Sequence, residues 1–267
     1  MCRVQFAKPN AVMKPRHGKH RGGFTFWELV AVLGIFVLLA GLLLPALAKA
    51  KQKAYRINCV SNLKQIGTAT RLWAGDNADR LPDRVPVAEG GLARTNAGGM
   101  RAVDVFRFFQ VMSNELNVTG ILLCPEDRTR LRGRKSGFNF QSEGPGASFT
   151  NNLVISYFVG CGASENCPGM LLSGDRNIYG PTTGTNSNGG YGNSPPNGSG
   201  ACVVFGTNLP TSEPLRVGWT ARMHGNAGNV AFADGSTWQV GSRQLVEAFN
   251  RTGDTNTVPG ANVILFP

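Results

Sequence analysis

His224, Asp175 and Asp234 have the side chains that metal or acid–base chemistry would use, and nine residues separate His224 from the Asp234-Gly235 pair. An imidazole with two carboxylates can hold a cation or move a proton. Catalysis would also need a nucleophile and a pocket, and neither is identifiable. No enzymatic activity is therefore expected. Calcium wants several oxygen ligands on one loop, and these residues form no recognisable one. The simpler reading is that His224 hydrogen-bonds locally and pins a hairpin. No metal or other cofactor is expected, with calcium the one ion left open.

Cysteine is the second reactive residue type. The chain has six, with Cys2 near the start and Cys59, Cys124, Cys161, Cys167 and Cys202 beyond it. No CxxC pair occurs, so a zinc ribbon or thioredoxin motif is unsupported. In an oxidising compartment disulfides persist. Cys161 and Cys167 are close enough in sequence to close a small loop and are the first expected pair. Cys59 with Cys124 is the second choice, and an odd count leaves one thiol over.

The third feature is a junction. Residues 21 to 28 read Arg-Gly-Gly-Phe-Thr-Phe-Trp-Glu, directly before the uncharged apolar run Leu29 to Ala48. Residues 1–23 carry six Lys/Arg and no acid, and residues 24–75 carry six against Glu28 alone. From Asp76 onward fifteen basic residues balance fifteen acidic ones, so the net charge of +11 belongs to the N-terminal end. Positive charge beside an apolar span sets membrane orientation. No specific nucleic-acid surface is predicted from it.

Twenty apolar residues make roughly 30 Å of helix, the thickness of a bilayer core. A cleaved secretory signal has a shorter apolar core. A plain signal anchor fits the length but leaves Glu28 unpartnered at the membrane edge, which is costly. Pro45 removes one backbone donor, and a kink or local unwinding is expected there. The pattern then continues as an amphipathic helix, with Ile57, Val60, Leu63, Ile66, Ala69 and Trp73 three or four residues apart. That stripe reads as core packing and stops near Gly75.

The remainder reads as a globular domain over 76–267. Val103 to Leu116 is an expected helix, with Val105, Phe106, Phe109 and Met112 inward. Short apolar runs read as strands: Leu153–Val159, Met170–Leu172, Ala201–Phe205, Val230–Ala233, Thr237–Val240 and Val263–Phe266. The segment 180–200, rich in Gly, Asn, Ser, Thr and Pro, reads as a variable surface loop. Arg128, Arg130, Arg132, Arg134 and Lys135 form a basic run, best explained as a solvated loop beside Glu126 and Asp127, since no aromatic residue interleaves them. Asp234-Gly235 predicts a two-residue hairpin turn within 224–240, placing Ala233 opposite Ser236 and Ala231 opposite Trp238. Ser242 is expected to cap a short helix through Phe249. A long N-terminal helix followed by an antiparallel sheet is an α+β layout.

Gly23-Phe24 with Glu28 resembles the processing site of type IV prepilins and type II secretion pseudopilins. His224 and Asp234-Gly235 resemble the His-x9-Asp-Gly signature of a large group of bacterial prepilin-type proteins. Leu44 to Lys51, Asn58 to Gly67, Cys124-Pro125 and Met170 to Asn177 match the same group. Thr25-Phe26-Trp27 departs from the commoner Thr-Leu-Ile but keeps bulk and apolarity. The resemblance implies a pilin-like fold, a basic leader over 1–23 and a membrane and assembly helix over 24–48. The amphipathic continuation would cover 49–75. It also implies cleavage after Gly23 by a prepilin peptidase and N-methylation of Phe24. The Phe24 amine would then pair with Glu28 of a neighbouring subunit. Some pseudopilins bind calcium, but no role follows for the His-x9-Asp-Gly segment. The implied protein is a structural subunit of a type II secretion pseudopilus or type IV pilus-like fibre. It would cross the inner membrane once, with its domain in the periplasm, before joining a fibre in the periplasm or at the cell surface. Its partners would be the peptidase/methyltransferase, other subunits and the inner membrane. The other reading is a membrane-anchored envelope protein that binds glycan or another surface ligand.

Overall fold

The computed structural model describes residues 23–93, 105–133, 149, 151–180, 190–192, 201–253 and 262–267. Residues 1–22 of the leader, Arg134, Lys135 and most of the 180–200 segment lie outside the described residues. The chain divides into two compact units, one ending at Ala48 and the other running from Lys49 to Pro267.

Helix α1, Phe26–Asp76, starts in the first unit and continues into the second. It begins at a reciprocal cap. The Thr25 amide donates to Glu28 Oε2 at 2.8 Å, and the Glu28 amide donates to Thr25 Oγ1 at 3.3 Å. This is a capping box, Thr at N-cap and Glu three residues on, and it satisfies donors the first turn leaves open. The most apolar 18-residue stretch of the helix has a mean hydropathy of 2.8 and none of it is buried. By length and composition the helix can cross a membrane. Helical assignment runs unbroken through Pro45.

In the second unit α1 becomes one-sided. Cys59, Leu63, Ile66, Ala69, Trp73 and Ala74 are buried, whereas Ile57 is 53% exposed. The buried stripe therefore starts two residues later than the sequence pattern suggests. Its end is fixed by local hydrogen bonds. The Asn77 and Asp79 amides both donate to Ala74 O at 2.9 Å. Ala78 and Asp79 turn the chain away with φ of 58° and 56°.

The sheet against which this stripe packs is antiparallel. Its strands are β1 (Tyr157–Gly160), β2 (Leu171–Asp175), β4 (Ala201–Val204), β6 (Ala227–Phe232), β7 (Thr237–Gly241) and β8 (Val263–Phe266). Their spatial order is β4-β8-β1-β2-β6-β7. Strands β3 (Ile178–Tyr179) and β5 (Gly218–Trp219) form a separate ribbon that the sequence pattern did not indicate. Because strand side chains alternate, the sheet feeds two cores. Tyr157, Val159, Ala231 and Leu265 join the α1 stripe. Phe158, Val230, Ile264 and Phe266 point the other way, against Leu245, Val246 and Phe249 of α5 (Ser242–Asn250). The fold is thus α+β, with helices covering both faces of the sheet.

Several local expectations change. Val103 and Asp104 lie outside the described residues; the rest of the expected Val103–Leu116 helix is two helices, α2 (Val105–Val111) and α3 (Ser113–Leu116), separated at Met112. Val105, Phe108, Phe109 and Met112 are fully buried, and Phe106 only partly. The 234–235 hairpin is shifted by one residue from the expected register, pairing Ala231 with Thr237 and Val230 with Trp238. Gly235 N–H donates to Phe232 O at 3.0 Å, and Phe232 N–H donates to Ser236 O at 2.9 Å. The loop therefore has three residues, with Gly235 at φ 83° as the left-handed bulge. Asp234 Oδ1 accepts the Ser236 amide at 2.7 Å, which holds this three-residue form. Ser242 does not cap α5; its hydroxyl accepts the Trp219 amide at 2.9 Å, and Gln244 instead accepts the Gly241 amide at 2.8 Å. The basic run is not wholly solvated. Arg130, on α4 (Arg128–Gly133), is 4% exposed and donates to Pro267 O at 2.8 Å.

Candidate functional site

Three chain segments converge beneath α1. The first is the turn after Cys124-Pro125, closed by the Asp127 amide donating to Cys124 O at 3.0 Å. The second is the end of β2, where Asp175 and Arg176 follow Ser173-Gly174. The third is the turn before β6, where His224, Gly225 and Asn226 all have positive φ, 53°, 60° and 63°. Only glycine adopts that conformation without cost. The turn is held by Asn177, whose Nδ2 donates to Thr220 O at 3.0 Å and Met223 O at 3.2 Å. The result sends the imidazole inward rather than along the hairpin.

His224 makes long-range contacts, and this corrects the local hairpin role expected for it. Its Nδ1 lies 2.6 Å from Glu126 Oε2 and its Nε2 lies 3.4 Å from Asp175 Oδ2. Nε2 is also 3.3 Å from Cys124 Sγ. The Glu126 contact is a close approach without aligned hydrogen-bond geometry. Asp175 Oδ2 accepts the Asn229 amide at 2.7 Å and Asn229 Nδ2 at 2.8 Å, while its Oδ1 has no partner. Burial pushes the Asp175 carboxyl up to about 6, against the opposing pull of His224 and of the Asn229 hydrogen bonds.

Beside it sits a second buried pair. Arg176 donates to Asp127 from Nε at 2.6 Å and from Nη2 at 2.8 Å, with both side chains 1% exposed. Burial alone would raise Asp127, but the bidentate guanidinium outweighs it and holds the carboxyl below its usual range. Burial also lowers Arg130, to about 10, with the charge of Arg176 adding to the effect.

Cys59 on α1 and Cys124 on the first turn are joined as a disulfide, their Cα atoms 5.4 Å apart. Cys161, Cys167 and Cys202 are free thiols. The expected Cys161–Cys167 bridge is therefore not formed. Cys161 packs against the α1-side core, whereas the Cys167 thiol points to Gly253 O at 3.8 Å. The small loop between them is closed by the backbone instead, Cys167 N–H donating to Ser164 O at 2.9 Å.

Of the three residues singled out by type, the structure brings His224 and Asp175 together. Asp234 stays at the hairpin tip, its carbonyl accepting Arg71 Nη1 at 3.1 Å. The other two positions around His224 and Asp175 fall to sulfur: ligand atoms of Cys59, Cys124, Asp175 and His224 all lie within 4.8 Å of one another. That donor set is soft and does not suit calcium. Glu126 and both cysteines were not foreseen as companions of His224. The available signal was that Cys59 lies in Asn58 to Gly67, Cys124 in Cys124-Pro125 and Asp175 in Met170 to Asn177; Glu126 follows directly after Cys124-Pro125. The arrangement ties together three chain segments: the Cys59–Cys124 disulfide joins α1 to the first turn, and His224 lies against Glu126 and Asp175.

Gly23, Phe24 and Glu28 belong to the first unit, and all are exposed. Glu28 has a partner within its own chain, the Thr25 amide. A neighbour's amine is therefore not needed to explain a carboxylate at this position. Comparison with known proteins finds no matching family model, no matching curated protein and no matching solved structure.

Proposed function

We propose that this chain is the precursor of a pilin-like fibre subunit, a pseudopilin or minor pilin. A prepilin peptidase removes residues 1–23 and methylates Phe24. The mature subunit rests in the inner membrane with its domain in the periplasm, then packs with other subunits through the first half of α1. The observation that carries this reading is the Gly23-Phe24 junction directly before an apolar helix. A division of labour along α1 supports it: Leu33, Ile35, Phe36, Val37 and Leu38 are more than half exposed, while Leu63 and Ile66 are fully buried. One half of the helix thus serves the subunit's own core and the other is left for lipid or neighbours.

Mass spectrometry of the mature N-terminus in a host carrying the peptidase tests the first step. A chain starting at N-methylated Phe24 is expected. An intact residue 1, or cleavage elsewhere, overturns the reading.

The capping box favours a second reading, a membrane-anchored envelope protein that binds glycan or another surface ligand. Thr25 and Glu28 start any helix well, whether or not it assembles. Cross-linking in intact membranes separates the two: a fibre subunit yields a ladder of multimers through the first half of α1, an anchor does not.

A further inference from the structure

We propose that Cys59, Cys124, His224 and Asp175 form a redox-exclusive zinc site: the dithiol form holds one Zn2+, and oxidation to the disulfide expels it. The donor set is Cys2-His-carboxylate, which suits four-coordinate zinc. Its four ligand atoms already lie within 4.8 Å of one another. A tetrahedral centre with Zn–S bonds of about 2.3 Å sets its sulfurs about 3.8 Å apart. Opening the disulfide moves each sulfur by about an ångström, within the reach of a χ1 adjustment.

Three further observations point to a ligand. Asp175 is fully buried and its Oδ1 has no hydrogen-bond partner. Glu126 Oε2 lies 2.6 Å from Nδ1 but is not aligned for a hydrogen bond; a small turn of the carboxylate would let it accept the Nδ1 proton and leave Nε2, which faces Cys124, as the donor atom. A carboxylate behind a ligating histidine is the usual outer-shell support for zinc. Asn58, Leu123 and Pro125, the immediate sequence neighbours of the two cysteines, line an open groove of about 470 Å³ with Tyr55, Ser61, Asn62 and Gly120. The groove runs beside the segments that carry the two sulfurs, which are themselves fully buried.

The chemistry balances. Binding to two thiols releases two protons: two Cys–SH and Zn2+ give a zinc dithiolate and two H+. A disulfide oxidant, written RSSR, then takes two electrons from that dithiolate. With two H+ it gives the Cys59–Cys124 disulfide, free Zn2+ and two RSH. The two thiolates cancel the charge of the ion, so the buried cluster carries the same net charge in both states. No uncompensated charge is left behind on switching. Zinc would hold α1 on the sheet and keep Cys59 and Cys124 together until oxidation, away from Cys161, Cys167 and Cys202.

The test uses the full chain in detergent micelles, fully reduced or fully oxidised, with Zn2+ or Co2+ as the probe. The reduced chain is expected to bind one zinc. With cobalt it should show thiolate charge-transfer absorption and the strong visible bands of a tetrahedral centre. The oxidised chain should bind at least about 100-fold more weakly. His224→Ala should weaken binding about 10- to 100-fold, the range seen when even supporting residues of metal sites are removed. The triple variant Cys161→Ser, Cys167→Ser, Cys202→Ser should bind as the wild type does. Should His224→Ala not fold, alkylation mapping on the wild type decides: zinc should protect Cys59 and Cys124 and leave Cys202 reactive. Absence of thiolate–cobalt absorption in the reduced chain, loss of binding in the triple variant, or protection that fails to distinguish Cys59 and Cys124 from Cys202 would overturn the proposal.

Discussion

Breaking the Cys59–Cys124 bond should cost the domain a large part of its stability, and the size follows from the chain. The two residues are 65 apart in sequence. Closing a loop of that length removes about 4 kcal/mol of unfolded-state entropy in the chain-entropy description. Replacing both cysteines by alanine also removes two buried sulfur atoms, worth about another 1–2 kcal/mol in lost packing. Domains of this kind have only about 5–15 kcal/mol in hand. The assay is urea unfolding of the full chain in mild detergent, followed by near-ultraviolet circular dichroism, where the buried Trp73 and Trp219 report. Three samples are compared in chelator: oxidised wild type, reduced wild type, and Cys59→Ala/Cys124→Ala. The reduced protein should lose about 4 kcal/mol and the double variant slightly more. Chelator keeps the reduced chain metal-free, so this measurement stays separate from zinc binding. A reduced protein within about 1 kcal/mol of the oxidised one would refute the reasoning. It would mean that the buried stripe of α1 alone holds the helix to the sheet.

Three other outcomes are expected. Gly235→Ala should destabilise by about 1–2 kcal/mol, since φ is 83° there and a Cβ would meet Arg71 Nη1 at 2.7 Å; an unchanged thermal midpoint would show that the hairpin tip relaxes freely. Asp127 has a depressed pKa, so its pairing with Arg176 contributes stability above the unfolded value near pH 4 and loses it as pH falls through the folded value. Asp127→Asn should therefore cost about 3–5 kcal/mol at neutral pH and flatten the acid limb of stability against pH; parallel limbs for the two proteins would remove Asp127 as the source. Glu28→Gln keeps the amide acceptor for Thr25 but removes the charge, while Glu28→Ala removes both. If Glu28 pairs with a neighbour's amine, both variants should be cleaved after Gly23 yet assemble poorly; normal assembly of Glu28→Gln would assign the residue to the cap alone.

The long helix, its two regimes and most strands were legible because each rests on a short-range pattern. Val263–Phe266 is a four-residue apolar run and is a strand with the same ends. The stripe from Leu63 to Trp73 follows helical spacing and is buried as that spacing requires. Capping was legible too but passed unread: Thr25 to Glu28 is a Thr-x-x-Glu box. Where the pattern misled, a nearby alternative of similar energy won. Asp-Gly suits a two-residue turn, yet the Asp234 carboxylate favours the three-residue form, and one residue of register is gained or lost with that choice. Arg130 looks like one of several solvated charges, and only the fold places it against Pro267.

From the sequence alone came the residue types at the site, the apolar length that can span a bilayer and the α+β order of elements. These depend on contacts within a turn or a strand, which neighbouring residues dictate. The tertiary structure decided which residues meet. It joined Cys59 to Cys124 across 65 residues, turned His224 away from Asp234 toward Asp175 and Glu126, and left Cys161 and Cys167 apart. Pairings of that range are set by how two faces of one sheet are filled, and chain order does not encode that filling locally.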